Sequence, residues 1–190
     1  MMATVLLLVL MAVVAWTDIA QHKIYNWTTY PGMLAAMALN GLGDLLVWCK
    51  AASAEQLAPW GWIGLGPSLF GFLLCGCLML TCFVFFHIGA GDVKLMAMMG
   101  AFLGPQEGLE ALLWTFILGG CLGAILLIWR VGAWRLLVRV FRQIVCSLRI
   151  FHWSPLTEEE HAQLQAPLFL APSALAAVII VRFGLAEWLL

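Results

Sequence analysis

The sequence predicts an all-α bundle of about six membrane-crossing helices, and three observations lead to it. Apolar residues make up 64% of the 190 and charged residues only 10%, a balance that a water-soluble domain of this size cannot keep dispersed. Apolar runs approaching the ~20 residues needed to cross a hydrocarbon core recur along nearly the whole chain. The few basic residues gather on one side of the alternating topology that those runs define.

Residues 1–16 form the first run. No basic residue precedes it and no A-x-A site follows it, so it reads as a retained span and not a cleaved signal. Residues 27–47 form a weaker run, interrupted by Pro31, Asn40 and Asp44. Residues 69–86 and 111–129 are free of charge, and 167–181 is shorter but also uncharged. Residues 93–103 are too short to cross alone. A helix that starts at Asp92 and stops before Gly104-Pro105 instead holds that aspartate near membrane depth, at the edge of a cavity.

Six spans put the odd-numbered connections on one side and the even-numbered ones, with both termini, on the other. Lys23, Lys94, Arg130, Arg135, Arg139, Arg142 and Arg149 fall on the first side, Lys50 and Arg182 on the second. The positive-inside rule makes the first side cytoplasmic, which sets both termini outside and brings Asp18 and Asp92 to the cytoplasmic face. The chain reads as one membrane-embedded domain, residues 1–190, with one sizeable polar connection, residues 130–165, between the fifth and sixth spans.

In that connection Arg135, Arg139, Arg142 and Arg149 recur at helical spacing among Leu137, Val138, Phe141, Ile144, Val145 and Leu148. This suits an amphipathic helix lying on an anionic leaflet, where the arginines orient the chain, the alternative being a substrate-docking role. Thr157 and Glu160 have capping-box spacing after Pro155. A net charge of −1 gives no general attraction to nucleic acid.

Cys49, Cys75, Cys77, Cys82, Cys121 and Cys146 contain no C-x-x-C pair, and most sit in apolar runs, so they read as small core residues and no metal site is expected. Gly100-x-x-x-Gly104 and Gly119-x-x-x-Gly123 permit close helix approach, within the chain first and in a homodimer second. Met96, Met98 and Met99 read as packing residues.

Ionisable groups at membrane depth are costly, so each is a functional candidate until a partner explains it. Asp92 follows Gly89-Ala90-Gly91, where two glycines let the backbone bend and approach a peptide closely just before a helix begins. Asp18 lies at the end of the first span. Two carboxylates brought together in a low-dielectric pocket share a proton, one activating water while the other polarises a carbonyl. That is peptide hydrolysis with no metal and no covalent nucleophile. The plainer alternative is that Asp92 pairs with Lys94, and that Asp18 caps a helix or pairs with His22 or Lys23.

Gly89-Ala90-Gly91-Asp92-Val93-Lys94-Leu95 resembles the G-x-G-D motif of type IV prepilin peptidases, including the Val-Lys-Leu that commonly follows it. Asp18 with Ile24 and Asn26 resembles that family's first aspartate region, which typically reads Asp, a basic stretch, then Ile-Pro-Asn; Tyr25 replaces the proline here. The segment from Ala171 through Pro172 and Ser173 to Leu175 is compatible with the family's last helix. The resemblance implies a membrane aspartyl endopeptidase with catalytic Asp18 and Asp92. It would cleave a short basic leader from type IV pilin-like precursors at the cytoplasmic membrane face, using no cofactor. The small size looks most like the subgroup serving Flp-type (tight-adherence) pili. Larger relatives carry an insertion with paired C-x-x-C motifs before the first aspartate and also methylate the product. Here the first span runs almost directly into Asp18, so no N-methyltransferase activity is expected. The resemblance further implies that Gly89 and Gly91 shape the active-site loop, that Lys94 holds that loop or contacts substrate carbonyls, unless it is only an orienting positive-inside charge, and that Asn26 buttresses the Asp18 turn. His22 and His87 flank the motifs as satisfied polar neighbours.

Other hydrolase chemistries lack their residues. No H-E-x-x-H occurs, and Ser68 lies at the opposite end of its span from His87. A presenilin-like protease shares Gly-x-Gly-Asp, but its Tyr-Asp and Pro-Ala-Leu elements are not matched cleanly. From a different class, a small transporter or scaffold would use Asp18 and Asp92 to bind protons or cations.

Overall fold

The computed structural model describes residues 2–21, 23–86, 88–131 and 170–185. Among these there are helices and turns but no strand, and four helical stretches are long and apolar enough to cross a membrane. The all-α membrane class that the sequence predicts is the one observed. The stretch 132–169, which holds Arg135 to Arg149 and the Thr157–Glu160 cap, lies outside the described residues, as do His22 and His87. The chain divides into two compact units, Met1–Leu118 with Phe169–Leu190, and Gly119–Leu168. Of the second unit, the described part is the helical continuation to Val131.

Helix α1 (Met2–Gln21) buries Leu7, Met11, Val14 and Ala15, a single stripe at helical spacing, and Asp18 falls on the next turn of that stripe. Helix α2 (Asn26–Trp48) runs through all three residues that weakened it on paper. Pro31 costs one intrahelical hydrogen bond near the start. Asn40 donates to Ala36 O at 2.9 Å and accepts from the Ile63 N–H at 3.0 Å. Asp44 accepts from the Trp62 indole at 3.0 Å and from the Leu65 N–H at 2.9 Å, so it caps the next long helix from outside. These polar groups are structural, and their partners explain them.

A short helix α3 (Ala54–Leu57) and a 3-10 turn (Ala58–Trp60) lead into α4 (Leu65–Phe86). Helix α5 (Ala90–Val131) contains a break at Gly104, whose φ of 80° belongs to the region open mainly to glycine, and Pro105 follows. The chain reverses there. A Cβ on Gly108 would lie 3.2 Å from the Cα of Gly100, a separation that eight residues of continuous helix could never give. Two antiparallel arms result, and the first stops where Gly104-Pro105 predicts. Helix α6 (Leu170–Arg182) is a shorter apolar helix antiparallel to α1: Ala171 meets Asp18 at one end, and the Arg182 guanidinium meets Thr4 Oγ1 at 3.0 Å at the other. Arg182 also pairs with Glu107 at 2.6 Å, just beyond the α5 reversal.

The first arm of α5 is buried on every side from Leu95 to Leu103 and forms the centre of its unit, with Met96, Met98 and Met99 fully enclosed. In lipid the hydrophobic effect does not drive helices together, so close packing must. Gly71 of α4 and Gly100 of α5 sit backbone to backbone; a Cβ on either would overlap the other's carbonyl oxygen. Ser68 Oγ donates across the same interface to Ala101 O at 2.7 Å, a contact worth about 1 kcal/mol in a membrane. Outward faces carry Leu34, Phe70 and Val84, all more than half exposed, which suits contact with acyl chains.

Candidate active site

Four helix ends meet at one end of the described bundle: the end of α1 and the starts of α2, α5 and α6. The stripe pattern of α1 turns Asp18 inward, where it is half-buried and its Oδ2 accepts a long hydrogen bond, 3.4 Å, from the Ala171 N–H in the first turn of α6. Asp92 stands in the first turn of α5, half-buried, where a carboxylate complements the positive end of the helix. Its N–H donates to Gly89 O at 3.1 Å. The same turn folds its Oδ2 back to within 3.1 Å of where a Gly89 Cβ would be. The two carboxylates lie within electrostatic reach of each other.

What brings α5 so close to the Asp18 region is the absence of a side chain at Gly91. A Cβ there would lie 2.8 Å from the Cβ of Ile24, which sits in the short connection between α1 and α2. One turn further on, Lys94 Nζ donates to Asn26 Oδ1 at 2.8 Å and stands 5.0 Å above the Tyr30 ring. Lys94 is thus committed to α2 and not to Asp92, which removes the plainer account of Asp92 as half of a local ion pair.

Asp18, Asn26, Gly89, Gly91, Asp92 and Lys94, singled out separately in the sequence, therefore occupy one region of the structure. Three contributors were not foreseen: the Ala171 backbone N–H, Ile24 as the surface that Gly91 touches, and the Tyr30 ring. The sequence signal for the first is Pro172, a residue favoured in the opening turn of a helix, which marks where α6 begins. Among the described residues, no group of three or more His, Cys, Asp or Glu side chains gathers as metal ligands would. Cys49, Cys75, Cys77, Cys82 and Cys121 are free thiols.

An all-helical chain, four of whose helical stretches can cross a membrane and whose Asp18 and Asp92 come to the same end of the bundle, is a membrane protein with two acidic groups gathered at its helix ends. The profile of the type IV leader peptidase family matches residues 5–124, and the chain belongs to that family. No curated protein and no solved structure matches it. The matched region takes in both aspartates and the Lys94–Asn26 contact, whereas α6, which supplies the Ala171 donor to Asp18, lies beyond it.

Proposed function

We propose that Asp18 and Asp92 are the catalytic pair of this leader peptidase, and that it cleaves the leader of Flp-type pilin precursors at the cytoplasmic face of a bacterial inner membrane. The observation that supports this most is the approach of Asp92 to the Asp18 region through the side-chain-free surface of Gly91. One carboxylate, ionised, takes a proton from a water as its oxygen attacks the scissile carbonyl carbon. The other, protonated, donates to the carbonyl oxygen as it gains negative charge. The tetrahedral intermediate collapses when the leaving nitrogen receives a proton, and the carboxylate pair ends with the single proton it began with. Neither step needs a cofactor. Residues 1–190 act as a single domain in this reading, with residues 130–165 on the cytoplasmic side.

The decisive measurement is the mass of the product. Purified protein, given a pilin-like precursor from the same genome and S-adenosylmethionine, is expected to yield a pilin lighter by its leader alone. An uncleaved precursor would defeat the proteolytic reading. A product heavier by ~14 Da, dependent on this protein, would show methyl transfer. The absence of that mass is expected because α1 continues past Asp18 without an insertion that could house a methyl-donor pocket.

Orientation rests on charge. Lys23 and Lys94 stand at the dyad end, while at the far end Arg182 is offset by Glu107 and leaves Lys50 as the uncompensated cation among the described residues there. In a cysteine-free background, Ser53→Cys is expected to react with an impermeant reagent added to intact cells, and Gln21→Cys only after the cells are opened. The opposite pattern would move the cleavage site to the outer face.

A further inference from the structure

We propose that Lys94 is a positioning residue: its ammonium clasps the start of α5 to the start of α2 and so sets how closely Asp92 approaches Asp18. The inference rests on Asp18 and Asp92 being the working pair.

The geometry has two fixed points with Asp92 between them. At the first, Gly91 bears on Ile24, an apolar contact about which the opening turn of α5 could still swing. At the second, Lys94 Nζ meets Asn26 Oδ1 at 2.8 Å, a directional bond that stops the swing. Asp92 lies in the same helical turn, so the backbone that carries its carboxylate cannot move relative to α2 without breaking one contact or the other. The connection between α1 and α2 is short, with α1 ending at Gln21 and α2 beginning at Asn26, which carries the constraint on to Asp18.

Local stability does not account for the lysine being there. Helix α2 begins at Asn26, and the positive end of a helix is where a cation is least welcome. The lysine nonetheless lies against that helix start, its ammonium held by an amide oxygen and by the face of Tyr30. The choice of amide over carboxylate also has a reason. An aspartate at position 26 would bind Lys94 more strongly, but it would add a third carboxylate beside two that must share one proton. Asn26 holds the lysine and leaves the pair undisturbed.

Steady-state kinetics of the purified full chain on a pilin-like precursor separates a clasp from a substrate contact. Lys94→Met and Asn26→Ala are each expected to lower kcat about tenfold while KM stays within about twofold, since geometry and not binding is lost. The double variant is expected to be no slower than the slower single variant, because both remove the same contact. Lys94→Arg, whose guanidinium also reaches an amide oxygen and stacks on an aromatic ring, is expected to recover most of the rate, which keeps the test open if Lys94→Met fails to fold. A raised KM with kcat unchanged, losses that multiply in the double variant, or wild-type rates in both single variants would each overturn the proposal. Asp18→Asn run alongside tells the two readings apart: if it cleaves normally, the catalytic pair itself is wrong.

Discussion

Replacing either Asp18 or Asp92 by asparagine is expected to reduce precursor cleavage by on the order of 10²–10⁴-fold, the range over which a positioned general acid or base contributes. Asparagine keeps the size and nearly the shape of aspartate but can neither ionise nor carry the shuttled proton. Because the two carboxylates act as a unit, Asp18→Asn combined with Asp92→Asn is expected to be little worse than either alone. Loss through misfolding would look different. Both side chains are only half-buried and asparagine is nearly isosteric with aspartate, so thermal midpoints in detergent are expected to stay close to that of the unsubstituted protein. Near-wild-type cleavage by either variant, present in the membrane at normal level, would remove that residue from the mechanism.

The second large effect is expected at a residue with no functional group. Gly91→Ala adds one methyl that would lie 2.8 Å from Ile24 Cβ, closer than side-chain carbons approach, so the first turn of α5 must retreat and carry Asp92 with it. A displacement of about 1 Å at reacting groups costs on the order of 10²-fold in rate, and that loss in kcat is the expected result. Gly66→Ala provides the contrast: a Cβ there meets nothing within 4 Å, and cleavage is expected to be unchanged. Activity in Gly91→Ala equal to that of Gly66→Ala would show that the two motif regions need not approach as the structure has them. Restoration by Ile24→Gly in the Gly91→Ala background would localise the fault to this contact.

Several elements were legible because lipid imposes a simple rule on sequence. Residues 69–86 and 111–129 are uncharged because charge in hydrocarbon is expensive, and both are helical. The stop at Gly104-Pro105 was equally plain, since a glycine at positive φ followed by a proline cannot sit inside a straight helix. Asn40 and Asp44 looked like defects in α2 because their partners, Trp62, Ile63 and Leu65, come from a connection whose return path no periodicity encodes. Ala171 was harder to see for a different reason. Its contribution is a backbone N–H, which every residue but proline possesses, so its own residue type carries no mark of it and only the neighbouring Pro172 points to the helix start.

The sequence by itself determined the solvent, the helical class, the approximate spans and which ionisable residues had no evident reason to lie at membrane depth. Those follow from transfer energies and helix periodicity, which are properties of residues and short windows. Only the tertiary structure decided that α5 turns back on itself, that Gly91 rests on Ile24, that Lys94 reaches Asn26 instead of Asp92, and that α6 offers a donor to Asp18. Each of these joins groups far apart in the chain through contacts a few ångströms long. Such contacts depend on how helices pack when small residues and polar bonds, not water, hold them together.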